Sequence, residues 1–330
     1  MLNPSMDAPS KLLVKLSQSL FKDLAQQSQL IERILSPQPY HPCILWCQPQ
    51  PSDLPFAVEP AIAWLPDFID RLALGTKPGQ TQLHQQGYFY CLDFSSVFAA
   101  STLLAIAKPV NLVVDLCAAP GGKSIFAWKA LQPQLLISNE VIGKRLGMLM
   151  ANLKRCQIQP AIIASLDSKI LAQELPQTAD VVFVDAPCSG QSLLAKGDKA
   201  IGCFHPVNIN KNANRQKRIL ANASYLVAPQ GYLAYMTCTY SSEENERVCE
   251  WFSEKFPDFE AIKVDHLLAY QSHLTDIPCY RMWPHNQLGA GAFTALFRNT
   301  VIGETKPLSA EFYQRSHLKF LGIRGEDGQF

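Results

Sequence analysis

No C-x-x-C pair occurs among the ten cysteines of this chain, which stand at 43, 47, 91, 117, 156, 188, 203, 238, 249 and 279. Cys43 and Cys47 have no matching second pair, so the ligand spacing of a structural zinc site is missing and no metal is expected. Lys11 and Lys15 lead into no continuous apolar stretch, so we read no secretory signal. Without that signal, a disulfide framework in a chain of this size is not expected, and the expected compartment is the reducing cytoplasm. No run approaches the ~18 apolar residues that a membrane span requires. An excess of charge of either sign is also lacking. The 29 Lys and Arg against 28 Asp and Glu leave a net charge of +1, which argues against broad non-specific binding to a polyanion and leaves only local basic patches open. No internal repeat is visible.

What is present is apolar material in quantity: 48% of 330 residues are hydrophobic, enough for a sizeable core and a length that suits two domains. Leu13, Leu16, Leu20, Leu24, Ile31 and Leu35 recur at helical spacing, which predicts one amphipathic helix over residues 10–35, packed on a core. Six prolines between 36 and 55 predict a linker or irregular strand region. From about residue 88 short apolar runs alternate with helical patterns. Strands are expected at 88–90, 111–116, 135–138, 161–164, 181–185, 232–236 and 292–297. Helices are expected at 95–107 (capped by Ser95 or Ser96), 123–130, 144–156, 214–226 and 243–256. This alternation predicts an α/β fold with a mainly parallel central sheet and helices on both faces. Beyond Asn299 the pattern fades.

Open α/β sheets carry their chemistry at the carboxyl ends of their strands, and four such exits here hold chemically useful residues. The first runs from Cys117 through Ala118, Ala119, Pro120, Gly121 and Gly122 to Lys123, a glycine-bearing turn into a helix whose free amides suit an anionic group. It is neither G-x-G-x-x-G nor a phosphate loop, and a tight turn made only for packing is the plainer alternative. Glu140 ends the next strand, where a carboxylate can accept from two ribose hydroxyls. Asp167 follows the third strand and could accept from an adenine amine, and Asp185 ends the fourth. Each acid alone also reads as a helix cap or a solvated loop residue. Two thiols stand apart from the other cysteines, which read as small buried hydrophobes: Cys188, after Asp185-Ala186-Pro187, and Cys238, between Thr237 and Thr239. Chemistry that suits them is addition to an electron-poor ring. A thiolate adding to carbon 6 of cytosine makes carbon 5 nucleophilic enough to take an electrophilic methyl; an acid such as Asp185 holds the ring, and a second thiol removes the carbon 5 proton. Position alone leaves open which thiol does which.

With these residues in view, the chain closely resembles the RsmB/Sun family of RNA cytosine-5 methyltransferases over about residues 85–298. The resemblance rests on Gly87-Tyr88-Phe89-Tyr90 with Ser95-Ser96, DLCAAPGGKS at 115–124, DAPCSG at 185–190, Arg215-Gln216 with Ile219-Leu220, and Ala228 to Leu233. It continues through TCTYSSEENERV at 237–248, Arg281-Met282-Trp283-Pro284-His285 and Gly289 to Phe293. It implies a Rossmann-like class I methyltransferase domain over 85–299. Before it would stand an amino-terminal module over 1–84, made of the helix, the proline-rich linker and a small RNA-binding-like part; after it, a carboxy-terminal tail over 300–330. It further implies S-adenosylmethionine as methyl donor, held by Cys117, Ala118, Ala119, Pro120, Gly121, Gly122 and Lys123, with Glu140 on the ribose, Asp167 near the adenine and Asp185 between donor and target base. Cys238 would be the nucleophile, Cys188 the residue assisting proton removal and release, and Lys123 an electrostatic support. The implied partner is RNA, ribosomal ahead of transfer RNA, acted on by a monomer in the cytoplasm. Three segments depart from the family pattern. Gln191-Ser192-Leu193-Leu194 replaces the usual Thr-Gly continuation, and 196–212, expected near the RNA, is unusual. Ile44 to Pro49 also lacks the basic strand the amino-terminal module often carries. Lys211, Arg215, Lys217 and Arg218 form one basic face beside the site. Three other readings are weaker. A DNA cytosine-5 methyltransferase would use Cys188 as nucleophile and want a long target-recognition region; an amine methyltransferase would want an Asn/Asp-Pro-Pro-Tyr loop; a binding protein that has lost catalysis has no need of both thiols.

Overall fold

The computed structural model describes residues 8–316 and 318–322. The expected single amino-terminal helix is two: α1 (Lys11–Leu20) and α2 (Leu24–Leu35). Ser10 caps α1, and Asp23 restarts the helix by accepting from the Ala25 amide. Between them Phe21 is extended, which turns its ring into a core shared with Leu13, Leu16, Leu20, Leu30 and Ile34. Burying that ring is what interrupts a helical pattern that the leucine spacing would otherwise have continued.

The proline-rich stretch holds a strand, β1 (Pro42–Trp46). It lies between β2 (Ile69–Arg71) and β3 (Phe89–Asp93) in a three-stranded antiparallel sheet. A short helix, α3 (Gln82–Gln85), precedes β3. The expected boundary at 84/85 therefore falls inside one sheet, because β3 pairs with β1 along its whole length. Asp93, rather than Ser95 or Ser96, caps α4 (Phe94–Ser101) by accepting from the Ser96 amide. This helix ends in a 3-10 turn over Thr102–Ala105, short of the expected residue 107.

Alternating strands and helices follow: β4 (Leu112–Asp115), α5 (Gly122–Leu131), β5 (Leu135–Asn139), α6 (Gly143–Arg155), β6 (Ala161–Ala164), α7 (Ser168–Glu174), β7 (Ala179–Asp185), α8 (Pro206–Leu226), β8 (Val227–Thr237) and α9 (Glu246–Lys255). Then come β9 (Phe259–Ala261), β10 (Tyr280–Met282), β11 (Ala292–Asn299), α10 (Ala310–Tyr313) and β12 (Lys319–Leu321). Among the described residues these build a nine-stranded sheet of order β10-β11-β8-β7-β4-β5-β6-β12, with β9 on β11. The five central strands are parallel, and β12, within the expected tail, adds an antiparallel edge to β6. Both faces are covered, so the strands read as unbroken apolar runs. Val113, Val181 and Phe183 enter one core, and Val114, Val182 and Val184 enter the other. The chain runs outward from β4 through β5 to β6, then returns to lay β7 on the other side of β4. That reversal opens a crevice at the carboxyl ends of β4 and β7, the place where open α/β sheets bind ligands.

Candidate active site

The exit of β4 is pinned from below. Asp115, fully buried, accepts from the Cys117 amide at 3.1 Å and from the Ser124 hydroxyl at 2.6 Å, tying the loop to the first turn of α5. Burial pushes its carboxyl up to about 7. Gly121 has φ +114°, a conformation that favours glycine. A Cβ on Gly122 would lie 2.7 Å from Leu92 and 2.9 Å from Tyr90, so this glycine lets β3 press against the loop. Lys123 then reaches across the crevice to Asp185 at 2.7 Å, joining the exits of β4 and β7.

The crevice is a cleft of about 570 Å³, within the usual range for a small-molecule site. Cys117, Ala119, Glu140, Asp167 and Asp185 line it together. Ala118 is buried with its amide on the Asn139 carbonyl, Pro120 is exposed, and Gly121 and Gly122 are buried; these four shape the turn behind the wall. Glu140 is only 3% exposed. One of its oxygens accepts from the Ile142 amide at 2.9 Å, the other from Arg145 at 3.0 Å, and Arg145 also donates to the Ala119 carbonyl. Asp167 both caps α7, accepting from Lys169 N at 2.9 Å, and lines the cleft. Val141 and Ile142, at the lip, are exposed apolar side chains of the kind that cover a flat ring, and sequence reasoning missed them. The cleft thus offers carboxylates and exposed apolar side chains together, a lining that fits an adenosyl group.

Cys188 and Cys238, fifty residues apart, meet with their sulfurs 3.3 Å apart on the same cleft. A hydrogen-bond network aims the Cys188 loop. Ser189 N donates to Glu244 at 2.9 Å, and Gln216 donates to both the Pro187 carbonyl and Glu244. The Ser189 and Thr239 hydroxyls pair at 2.6 Å, and the Gln191 carbonyl oxygen accepts from the Tyr240 and Ser241 amides. The two thiols differ in surroundings. The hydrogen bond from Cys188 draws the Cys238 thiol below its ordinary range against burial, and the Lys123 and Lys196 ammonium groups favour its thiolate. Cys188 is pushed up by the same hydrogen bond, by burial and by the nearby Glu244. Lys196 comes from the segment after Gly190 and pairs with Asp93 at 3.2 Å. Of the expected basic face, Arg215 and Arg218 line the cleft, Lys211 lines a smaller neighbouring cavity, and Lys217 instead stacks over Trp251. Among the described residues no three metal-ligating side chains gather, and no helix is long and apolar enough to cross a membrane.

A reversing parallel sheet with an adenosyl-sized cleft at its switch point defines a Rossmann-like fold of the class I methyltransferase type. The protein belongs to the 16S rRNA methyltransferase RsmB/F family, whose pattern it matches over residues 102–298. It is 33% identical over 225 residues to ribosomal RNA small subunit methyltransferase F of an Escherichia coli strain (O17:K52:H18), covering 67% of this chain and 47% of that one. With the same enzyme of Pectobacterium carotovorum identity is 28% over 256 residues, 76% of this chain and 52% of the relative. The chain therefore spans about half the length of the curated relatives it matches. A methyltransferase homologue from Pyrococcus horikoshii superposes with TM-score 0.71 at 23% identity, over 90% of this chain and all of the other. NSun6 from the same organism, solved with SFG, gives 0.69 at 18% over 89% and 99%, a likeness of fold.

Proposed function

We propose that this chain transfers a methyl group from S-adenosylmethionine to carbon 5 of a cytosine in ribosomal RNA, through a covalent adduct between Cys238 and carbon 6. The observation that carries this reading is the pair of thiols 3.3 Å apart, beside Asp185 and Lys123, on the wall of an adenosyl-sized cleft. Family membership and the ribosomal RNA named for the relatives support the substrate class.

S-adenosylmethionine, when bound, supplies an electrophilic methyl. Glu140 would hold its ribose, Asp167 its adenine amine, and Val141 and Ile142 would flank the ring. Cys117 to Lys123 would hold the methionine part. Asp185, oriented by Lys123, would accept from the cytosine amine beside nitrogen 3. The Cys238 thiolate adds to carbon 6, and the displaced π electrons leave carbon 5 to take the methyl. The carbon 5 proton would then pass to the Cys188 sulfur as the Cys188 thiol gives its own proton to the departing Cys238 sulfur 3.3 Å away. The electrons of that C–H bond would rebuild the double bond and expel Cys238, leaving both cysteines as thiols.

The ordering of the thiols separates this reading from one in which Cys188 attacks. Cys238→Ala abolishes transfer and leaves S-adenosylmethionine binding intact, whereas Cys188→Ala accumulates a denaturant-resistant protein–RNA adduct on gels. An adduct that vanishes in Cys188→Ala and persists in Cys238→Ala reverses the assignment.

A further inference from the structure

Helix α8 carries Asn208, Lys211, Asn212 and Arg215 at spacings of three and four, which aligns them on one face. That face and the turn at 201–203 enclose a cavity of about 220 Å³ that shares Cys188 with the cleft. The turn is held in place. Gly197 and Gly202 have φ +83° and +69°, and the Asn208 side-chain amide donates to the Gly202 carbonyl at 2.9 Å. Just before Gly202 stands Ile201, 96% exposed on the cavity rim. Among the described residues no carboxylate stands within ion-pair distance of Lys211 or Arg215, and the Asn212 side chain makes no hydrogen bond.

A cytosine that reaches the thiols has left its stack, and the nucleotides joined to it lose a stacking face. With Cys188 in its wall, this cavity adjoins the cleft that carries both thiols. Its volume falls below the ~300 Å³ at which pockets for whole drug-sized ligands begin, and suits a single base. Two unpaired cations stand ready for phosphates, a free carboxamide for a base edge, and a bare aliphatic side chain for a base face.

We propose that this cavity receives the nucleotide adjoining the target cytosine and sets sequence preference at that position. Asn212 reads the base edge, Ile201 packs on its face, and Lys211 and Arg215 hold the flanking phosphates. A carboxamide pairs bidentately with adenine, so adenine is the expected base. The proposal rests on the reading of the chain as an RNA cytosine-5 methyltransferase.

The test is methylation of a pool of RNA stem-loops, each with one cytosine in randomised flanks, by the full chain with S-adenosylmethionine, read by bisulfite sequencing. The unaltered chain favours adenine at one flanking position. Asn212→Ala flattens that preference about tenfold and leaves other positions alone. Lys211→Ala lowers kcat/KM for all sequences alike and reduces the salt slope by about one. Ile201→Ala lowers turnover without changing S-adenosylmethionine affinity. Methylation that is indifferent to the flanks, or a preference that survives Asn212→Ala, overturns the cavity assignment alone. Absence of methylation by the unaltered chain on every member overturns the methyltransferase reading and the cavity assignment with it.

Discussion

At the scale of single residues, the site depends on charges placed against burial. Lys123 faces both Asp185 and the Cys238 thiol, and its positive charge favours the thiolate. Lys123→Met removes that charge, so the Cys238 thiol titrates at higher pH and its iodoacetamide alkylation at neutral pH slows several-fold; an unchanged pH–rate curve discounts the lysine. Asp115 is a separate case. Its carboxyl is pushed from 3.8 to about 7 by burial, so the folded state holds its proton more tightly than the unfolded chain. The stability this contributes is complete below pH 4 and lost as pH rises to about 7. The melting temperature of Asp115→Asn is therefore expected to fall less between pH 5 and 8 than that of the unaltered chain. Glu140→Ala deletes two acceptor oxygens facing the cleft, and calorimetry is expected to show S-adenosylmethionine binding weaker by about tenfold, or roughly 1.4 kcal/mol. The sequence shows Asp185, Cys188 and Cys238 because each follows an apolar strand. It hides Glu244 and Lys196, whose partners lie far along the chain: Glu244 touches Ser189 from 55 residues away, and Lys196 meets Asp93 only after the fold closes.

At the scale of elements, buried parallel strands were the most legible, because two covered faces demand continuous apolar residues; β6 runs over Ala161–Ala164 as its pattern predicts. Helix starts were less so. The cap of α4 is Asp93, one residue before the helix and outside the serine pair that looked suited to it, and α8 begins at Pro206, well before its apolar periodicity becomes visible. Proline density concealed β1, whose neighbours on both sides come from distant segments. One close contact between the small sheet and helix α6 on the large one requires a glycine. Gly87 has φ +78°, and a Cβ there would fall 1.7 Å from the Arg155 carbonyl oxygen at the end of α6. The Arg155 guanidinium also holds the His84 and Phe89 carbonyls. Backbone meets backbone at this point, so no side chain can yield. Gly87→Ala is expected to destabilise the chain by about 1–3 kcal/mol or more in urea unfolding, through strain and separation of β3 from α6. A variant with unchanged midpoint and slope shows that this junction is soft.

For the molecule as a whole, the amino-terminal helices do more than cover the fold. Phe21, at the break between α1 and α2, lies 4.7 Å from Trp283 between ring centroids, and Trp283 stacks on Tyr240 at 6.2 Å. Tyr240 is two residues past Cys238, and its amide is held by Gln191 from the segment that follows Cys188. Leu194 and Phe204, from the same region, pack on this cluster. Beneath it the buried Arg281 pairs with Glu246, donates to the Tyr240 carbonyl at 2.8 Å and lies 4.8 Å from the Trp283 ring. An aromatic ring from residue 21 thus helps to fix the backbone that carries both thiols. Phe21→Ala leaves a cavity in this cluster and is expected to cost about 3–5 kcal/mol of stability. The cleft residues Glu140, Asp167 and Cys117 belong to other elements, so S-adenosylmethionine affinity measured well below the melting temperature is expected to hold. Methyl transfer under the same conditions is expected to fall several-fold as the Cys238 strand end loosens. Equal loss of binding and turnover makes the effect a general one of unfolding. Loss of stability with turnover intact means that the helices pack against the site without setting its geometry.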